Sequence, residues 1–145
     1  MSGQRLHTRI SAASVLHRIH GETGTPLGAM IEIADRCNEK CAHCYQIQGQ
    51  KGELTTEQWK KILDELAEMG VLLLTISGGE ATLRRDFLDL VAHARARRFA
   101  VKLFTNGLTM TREMAEQLAE LADQEVQISV YSVRAEVHDR SETQD

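Results

Sequence analysis

The sequence predicts an α/β domain built on a parallel sheet of four strands. Four short apolar segments of strand length alternate along the chain with three amphipathic segments of helix length. Strands that alternate with helices form βαβ units, and such units build parallel sheets. The 145 residues are the length of one ordinary domain, which is large enough to bury a core of its own.

The first strand and the first helix flank a long polar loop. Residues 29–34 alternate in part between apolar and polar side chains, which predicts a strand. The loop covers residues 37–54, and the helix begins where Thr55 and Gln58 form a capping-box pattern. Gly70 ends this helix. Its apolar stripe is formed by Trp59, Ile62, Leu63 and Leu66.

The remaining elements continue the alternation. They are a strand over residues 71–76, a helix over about 86–98, a strand over 100–104, a helix from near Thr111 and a strand over 126–131. The segment 71–76 is apolar almost throughout, which predicts a strand covered on both faces. Residues 132–145 are polar and predict no further strand.

The composition is that of a globular protein. Hydrophobic residues make up 42% of the chain and charged residues 26%. No segment approaches the roughly 18 apolar residues of a membrane helix. The formal charge of −4 comes from interspersed acids and bases, without the basic patch of a nucleic-acid-binding surface. We therefore expect neither a membrane nor a nucleic acid as a partner.

The first 24 residues are predicted to be a basic extension that precedes a core domain over residues 25–145. Residues 1–20 contain three arginines and no acidic residue. They lack the apolar stretch of a secretory signal, which leaves a short basic helix or a mitochondrial transit peptide as alternatives. The three cysteines lie within eight residues of one another. This spacing favours a metal-binding role in a reducing compartment, which we expect to be the cytoplasm.

The loop from Cys37 to Cys44 is the most informative motif, because its C-x₃-C-x₂-C spacing lets three thiolates converge on one metal centre. Protein thiolates usually hold all four irons of a [4Fe–4S] cluster, so three would leave one iron open to an outside ligand. Catalytic metal sites keep such an open position. The alternative is a zinc site that adds His43 or a distant histidine. The loop follows a predicted strand, at the end where α/β proteins gather reactive groups.

Cys37, Cys41 and Cys44, followed by Tyr45, resemble the signature of the radical S-adenosylmethionine (SAM) superfamily. Three more of the family's motifs follow in order, namely Ser77-Gly78-Gly79-Glu80, Thr105-Asn106-Gly107 and the segment 127–132. Together they cover about residues 29–140. The chain is most similar to members that modify peptides or build peptide-derived cofactors, often with a C-terminal cluster-binding extension. Ala81 departs from the pattern, because proline is usual there.

The resemblance implies a partial (βα)₆ TIM-like barrel, of which this chain supplies the four N-terminal units. We therefore expect an incomplete core that requires a C-terminal half or a partner chain. The implied cofactors are a [4Fe–4S] cluster on Cys37, Cys41 and Cys44, and SAM on the fourth iron. The implied activity is reductive cleavage of SAM to a 5′-deoxyadenosyl radical that abstracts hydrogen from a peptide or a cofactor precursor. The electron donor would be a protein such as flavodoxin or ferredoxin.

The resemblance also implies which residues contact SAM. His43 occupies the place of an aromatic residue that lies against adenine, although an exposed loop histidine is the alternative. The Gly78-Gly79 pair admits the amino end of SAM and Glu80 accepts from its ammonium group, whereas a plain turn is the alternative. Ser129 matches a position that contacts the ribose or the carboxylate, or else it is a small core residue. Asn106 is expected to shape its turn.

Three functions remain open from the sequence. The chain is a radical SAM enzyme or its N-terminal portion, a non-catalytic module that holds a cluster and SAM, or an α/β scaffold stabilised by zinc. They differ in metal content and in whether SAM is cleaved.

Overall fold

The computed structural model describes residues 11–46, 49, 52–121 and 125–142. The first element among the described residues is helix α1 (Ala12–Thr23), which ends at Gly24 in the left-handed conformation, with φ of 68°. The later elements are β1 (Gly28–Ala34), α2 (Thr56–Glu68), β2 (Leu73–Gly78), a 3₁₀ turn (Ala81–Leu83), α3 (Phe87–Ala96), β3 (Ala100–Thr105), α4 (Arg112–Glu120), β4 (Glu125–Ile128) and α5 (Ala135–Glu142). In the described part of the chain, no helix is long and apolar enough to cross a membrane.

The four strands form one parallel sheet in the order β1-β2-β3-β4. Helices α2, α3 and α4 connect successive strands, so the chain consists of βα units. The register pairs Ile31 with Ile76 and Ile76 with Leu103, which brings the carboxyl ends of the strands to one edge. This open sheet confirms the predicted fold class, the N-terminal four units of a partial TIM-like barrel.

One face of the sheet packs against the helices and forms the core. Its buried side chains include Ile33, Leu74, Ile76 and Leu103 from strands, and Leu63, Phe87, Leu90 and Leu118 from helices. The prediction that β2 is covered on both faces is wrong, because Leu73 is 55% exposed while its neighbour Leu74 is fully buried. The helices cover only one face, and the other face leads to the cavity described below.

The ends of several elements follow local hydrogen bonding. Thr55 and Gln58 form the predicted capping box, in which each side chain accepts from the backbone N–H of the other residue. Strand β2 begins two residues later than predicted, because the N–H of Val71 still donates to Leu66 at the end of α2. The residues of β4 are all exposed, as expected of an edge strand.

Candidate metal and cofactor site

A cavity of about 380 Å³ lies at the carboxyl edge of the sheet. Its volume is within the range of small-molecule sites. The ends of all four strands, or the segments that follow them, contribute to its wall. From this wall the predicted site residues Cys37, Cys41, His43, Cys44, Gly78, Gly79 and Ser129 face the cavity, together with Asn106 and Tyr131. Of the predicted site residues, Glu80 alone is buried outside the lining.

The cysteine loop presents its sulfurs to backbone N–H groups. A turn brings the N–H of Cys44 to the carbonyl oxygen of Cys41 at 3.0 Å. The N–H of Glu39 donates to Cys37 Sγ at 3.4 Å, and that of Gln46 donates to Cys44 Sγ at 3.4 Å. All three cysteines are thiols rather than disulfides. Amide donors of this kind stabilise sulfurs that carry negative charge, as metal-bound thiolates do.

The surroundings of Cys37 raise the pKa of its thiol. Burial is the main cause that raises the pKa of this thiol, although the N–H of Glu39 partly opposes the rise. The Glu80 carboxylate raises the same pKa further. Metal binding requires the thiolate form and releases its proton, so a bound cation would oppose this rise. Within the described residues, no three His, Cys, Asp or Glu side chains already surround the position of a single metal ion.

The two glycines after β2 allow two segments of backbone to meet. A Cβ atom on Gly79 would lie 2.3 Å from the carbonyl oxygen of Arg36, and one on Gly78 would lie 2.6 Å from that of Ala34. The N–H of Gly79 donates to Ala34 at 2.8 Å, and that of Glu80 donates to Arg36 at 2.9 Å. That the glycines admit a cofactor stays a prediction. The structure shows a separate reason why both positions need glycine. They also let this turn cross the end of β1, where the cysteine loop starts.

Glu80 is 1% exposed, and both of its carboxylate oxygens accept hydrogen bonds from the protein. Oε1 accepts from the N–H and hydroxyl of Thr82 and from the hydroxyl of Thr105, at 2.5–3.1 Å. Oε2 accepts from the N–H of Asn106 at 2.8 Å. The carboxylate thus joins the loop after β2 to the loop after β3. This geometry gives Glu80 a positioning role, and its contact with the ammonium group of SAM stays a prediction.

His43 lies against an aromatic residue that follows β4. Its Nε2 is 2.8 Å from the hydroxyl of Tyr131, and the two rings meet edge to face with centroids 4.6 Å apart. The backbone of β4 is extended by Ser129, whose N–H donates to Thr105 at 3.0 Å. Ser129 and Tyr131 continue the cavity wall beyond β4. The pair formed by His43 and Tyr131 therefore joins this segment to the cysteine loop.

Several residues of the wall have no site role in the sequence analysis, and Tyr131 and Asn106 are among them. Tyr131 lies within the family-like motif 127–132. However, the alternation of side chains along a strand does not show which of them reaches His43, 88 residues away. Asn106 was predicted to shape its turn, and it does so, because its Oδ1 accepts from the N–H of Leu108 at 3.0 Å. Its amide nitrogen also faces the cysteine loop.

An open parallel sheet of βα units, with three cysteines at its carboxyl edge, places the protein in the βα-barrel class. The sequence model of the radical SAM superfamily matches residues 31–145. The chain therefore belongs to the radical SAM superfamily, as the four motifs predicted. The two cofactors expected from the sequence, a [4Fe–4S] cluster and SAM, are those of this superfamily.

Curated relatives of the chain include peptide-modifying members. The PqqA peptide cyclase of Bradyrhizobium diazoefficiens is 41% identical over 120 residues, which are 81% of this chain and 32% of that protein. Mycofactocin maturase MftC of Mycobacterium tuberculosis is 43% identical over 116 residues, which are 79% of this chain and 30% of that protein. The chain thus spans about a third of the length of the curated relatives that it matches.

Solved structures share the fold. Streptococcus suis SuiB bound to the precursor peptide SuiA matches with a TM-score of 0.76 and 18% identity, over 98% of this chain and 35% of that chain. SuiB bound to S-adenosylmethionine matches with a TM-score of 0.76 and 20% identity, over 88% of this chain and 31% of that chain. At these identities, the likeness establishes the architecture.

Proposed function

We propose that this chain is the N-terminal part of a radical SAM enzyme, with residues 25–145 as the N-terminal portion of its core domain. In this proposal Cys37, Cys41 and Cys44 hold a [4Fe–4S] cluster, and the cavity beside them binds SAM. The observation that carries the proposal is that one cavity is lined by all three cysteines and by the ends of the other three strands.

The donor set fits the cluster. Cysteine thiolates are the usual protein ligands of iron–sulfur clusters, and three of them would leave the fourth iron open to SAM. Two of these sulfurs already receive backbone N–H donors at 3.4 Å. Hydrogen bonds to the sulfurs are among the factors that set the reduction potential of such clusters. A cluster held in this way would neutralise the thiolate that burial otherwise disfavours at Cys37.

The rest of the cavity wall fits SAM, a ligand with an aromatic base, a sugar and a charged amino-acid end. His43 and Tyr131 offer an aromatic edge for the base. Ser129 offers a hydroxyl for the ribose or the carboxylate. The turn at Gly78 and Gly79 offers backbone groups with no side chain in the way.

Bound to Cys37, Cys41 and Cys44, the cluster would supply the electron for reductive cleavage of SAM to methionine and a 5′-deoxyadenosyl radical, which is the species that would abstract hydrogen from the substrate. The protein positions and shields these groups. The cysteine loop fixes the metal end of the site, and Glu80 fixes the loops after β2 and β3 beside it. The pair formed by His43 and Tyr131 links the cysteine loop to the segment that follows β4.

We further propose that the substrate is a peptide and that the electron donor is a protein such as flavodoxin or ferredoxin. The relatives named for peptide cyclisation and the SuiB structure with its precursor peptide support the substrate class. The cytoplasm is the proposed compartment, because thiols remain reduced there.

The decisive experiment is anaerobic reconstitution of the 145-residue chain with iron and sulfide, followed by analysis for iron, sulfide and zinc. We expect about four irons and four sulfides per chain, and none after the three cysteines are replaced by serine. One zinc per chain without sulfide would instead establish a zinc-stabilised scaffold and refute the proposal.

Addition of SAM to the loaded chain separates the remaining alternatives. We expect the electron paramagnetic resonance spectrum of the reduced cluster to change when SAM binds, and 5′-deoxyadenosine to form with dithionite. His43→Ala is the matched variant, because it should keep the iron and weaken the response to SAM. A spectral change without 5′-deoxyadenosine would indicate a non-catalytic binding module.

A further inference from the structure

Asn106 directly follows β3, and both polar atoms of its side chain make hydrogen bonds. Its Oδ1 accepts from the N–H of Leu108 at 3.0 Å. Its Nδ2 is 2.8 Å from Asn38 Oδ1 and 3.9 Å from Cys37 Sγ. Since the oxygen is committed to Leu108, the amide group has one orientation, in which the NH₂ faces the cysteine loop.

The backbone of Asn106 is fixed as firmly as its side chain. Its N–H donates at 2.8 Å to Glu80, a carboxylate that is 1% exposed. The following N–H, of Gly107, donates to the hydroxyl of Thr105 at 3.0 Å. Because these contacts hold the end of β3, Asn106 presents its NH₂ group without the freedom of an ordinary loop side chain.

We propose that Asn106 is a positioning residue for the cluster, acting through Cys37. One N–H of its amide holds Asn38, the first residue inside the cysteine motif, and the other points at the Cys37 sulfur. A hydrogen bond to a cluster sulfur stabilises the reduced, more negative state and so raises the reduction potential. The inference rests on the proposed function, because it requires a cluster on Cys37.

The test measures the midpoint potential of the cluster in the absence of SAM. A redox titration is monitored by the electron paramagnetic resonance signal of the reduced cluster. Asn106→Ser keeps the turn, because a serine hydroxyl can also accept from the N–H of Leu108, but it removes the amide donor. Asn106→Asp keeps the shape of the side chain, removes its NH₂ donor and adds a negative charge. Leu108→Ala is the control, because Leu108 is 61% exposed and its backbone N–H is retained.

We expect Asn106→Ser to lower the midpoint potential, Asn106→Asp to lower it further and Leu108→Ala to leave it unchanged. For the serine variant, the ratio of reduced to oxidised cluster at a fixed potential should fall roughly threefold to tenfold, where tenfold corresponds to 59 mV for one electron. Only chains that hold a cluster contribute to the redox titration. A variant with a lower iron content therefore still reports the midpoint potential of its own cluster.

Equal potentials in the parent and Asn106→Ser would overturn the inference while leaving the proposed function intact. A folded Asn106→Ser chain that binds no cluster at all would also overturn it, since a donor to one sulfur is not a ligand. By contrast, a parent chain that takes up no cluster would refute the proposed function itself.

Discussion

The substitution Gly79→Ala tests how the cysteine loop is held in place. The new Cβ would lie 2.3 Å from the carbonyl oxygen of Arg36, 2.6 Å from its carbonyl carbon and 3.1 Å from Cys37 Cβ. Non-bonded atoms do not approach a Cβ within 3.0 Å, so the two segments must separate by about 0.7 Å or more. Both neighbours are backbone atoms, and no side-chain rotation can relieve the overlap.

The expected cost combines two effects. Overpacking of this kind costs about 1–3 kcal/mol. The separation also strains two backbone hydrogen bonds, from Gly79 to Ala34 and from Glu80 to Arg36, each worth about 1 kcal/mol. We therefore expect Gly79→Ala to lower the free energy of unfolding by about 4 kcal/mol. Displacement of Cys37 should also lower the iron taken up by folded chains.

Urea unfolding at pH 7, monitored by circular dichroism, measures the change in the free energy of unfolding. Iron analysis after reconstitution measures the change in iron uptake. Gly28→Ala is the matched control within the same sheet, because its Cβ would make ordinary contacts of 3.5 and 3.6 Å with Leu73. It should change the free energy of unfolding by less than about 1 kcal/mol. If Gly79→Ala is as stable as this control and binds iron normally, the backbone-crossing argument is wrong.

Three further predictions concern other parts of the molecule. Thr55→Ala removes the cap of α2 and should cost about 1 kcal/mol in urea unfolding; no change would mean that the cap is dispensable. Arg84 holds the pKa of the Asp86 carboxyl below its usual 3.8, so this pair stabilises the fold above about pH 4 and does so progressively less as the pH falls further. Between pH 5 and 3, Asp86→Asn should therefore lose less stability than the parent, and parallel losses would contradict the linkage. Tyr131→Phe removes the hydroxyl next to His43. It should weaken SAM binding about fivefold in calorimetry at unchanged iron content, and an unchanged Kd would exclude this hydroxyl from the site.

Local sequence signals located most of the elements. The Thr55 capping box, the stripe that includes Leu63, and the alternation over residues 29–34 depend on contacts between neighbours in sequence. All three appear in the structure where they were predicted. The motifs also identified residues that lie together in the structure, because the three cysteines, the two glycines and Ser129 line the same cavity.

Sequence patterns did not reveal the features that depend on distant parts of the chain. The apolar run 71–76 predicted a strand covered on both faces, which is wrong, because only one face of β2 is covered and Leu73 is more than half exposed. The pattern around Glu80 does not show which protein groups donate to its carboxylate, namely Thr82, Thr105 and Asn106, and its contact with SAM stays a prediction. Burial and hydrogen-bond partners are set by segments that meet only when the sheet forms.

By itself, the sequence determined the family of this protein and its candidate metal ligands. The spacing of the three cysteines specifies which sulfurs are proposed to bind iron, because ligand type and separation are properties of the chain. The tertiary structure alone decided how those atoms are supported. Parallel strands in register bring the ends of β2, β3 and β4 beside the cysteine loop. There Asn106 can reach Cys37 from 69 positions away, a distance that no local pattern encodes.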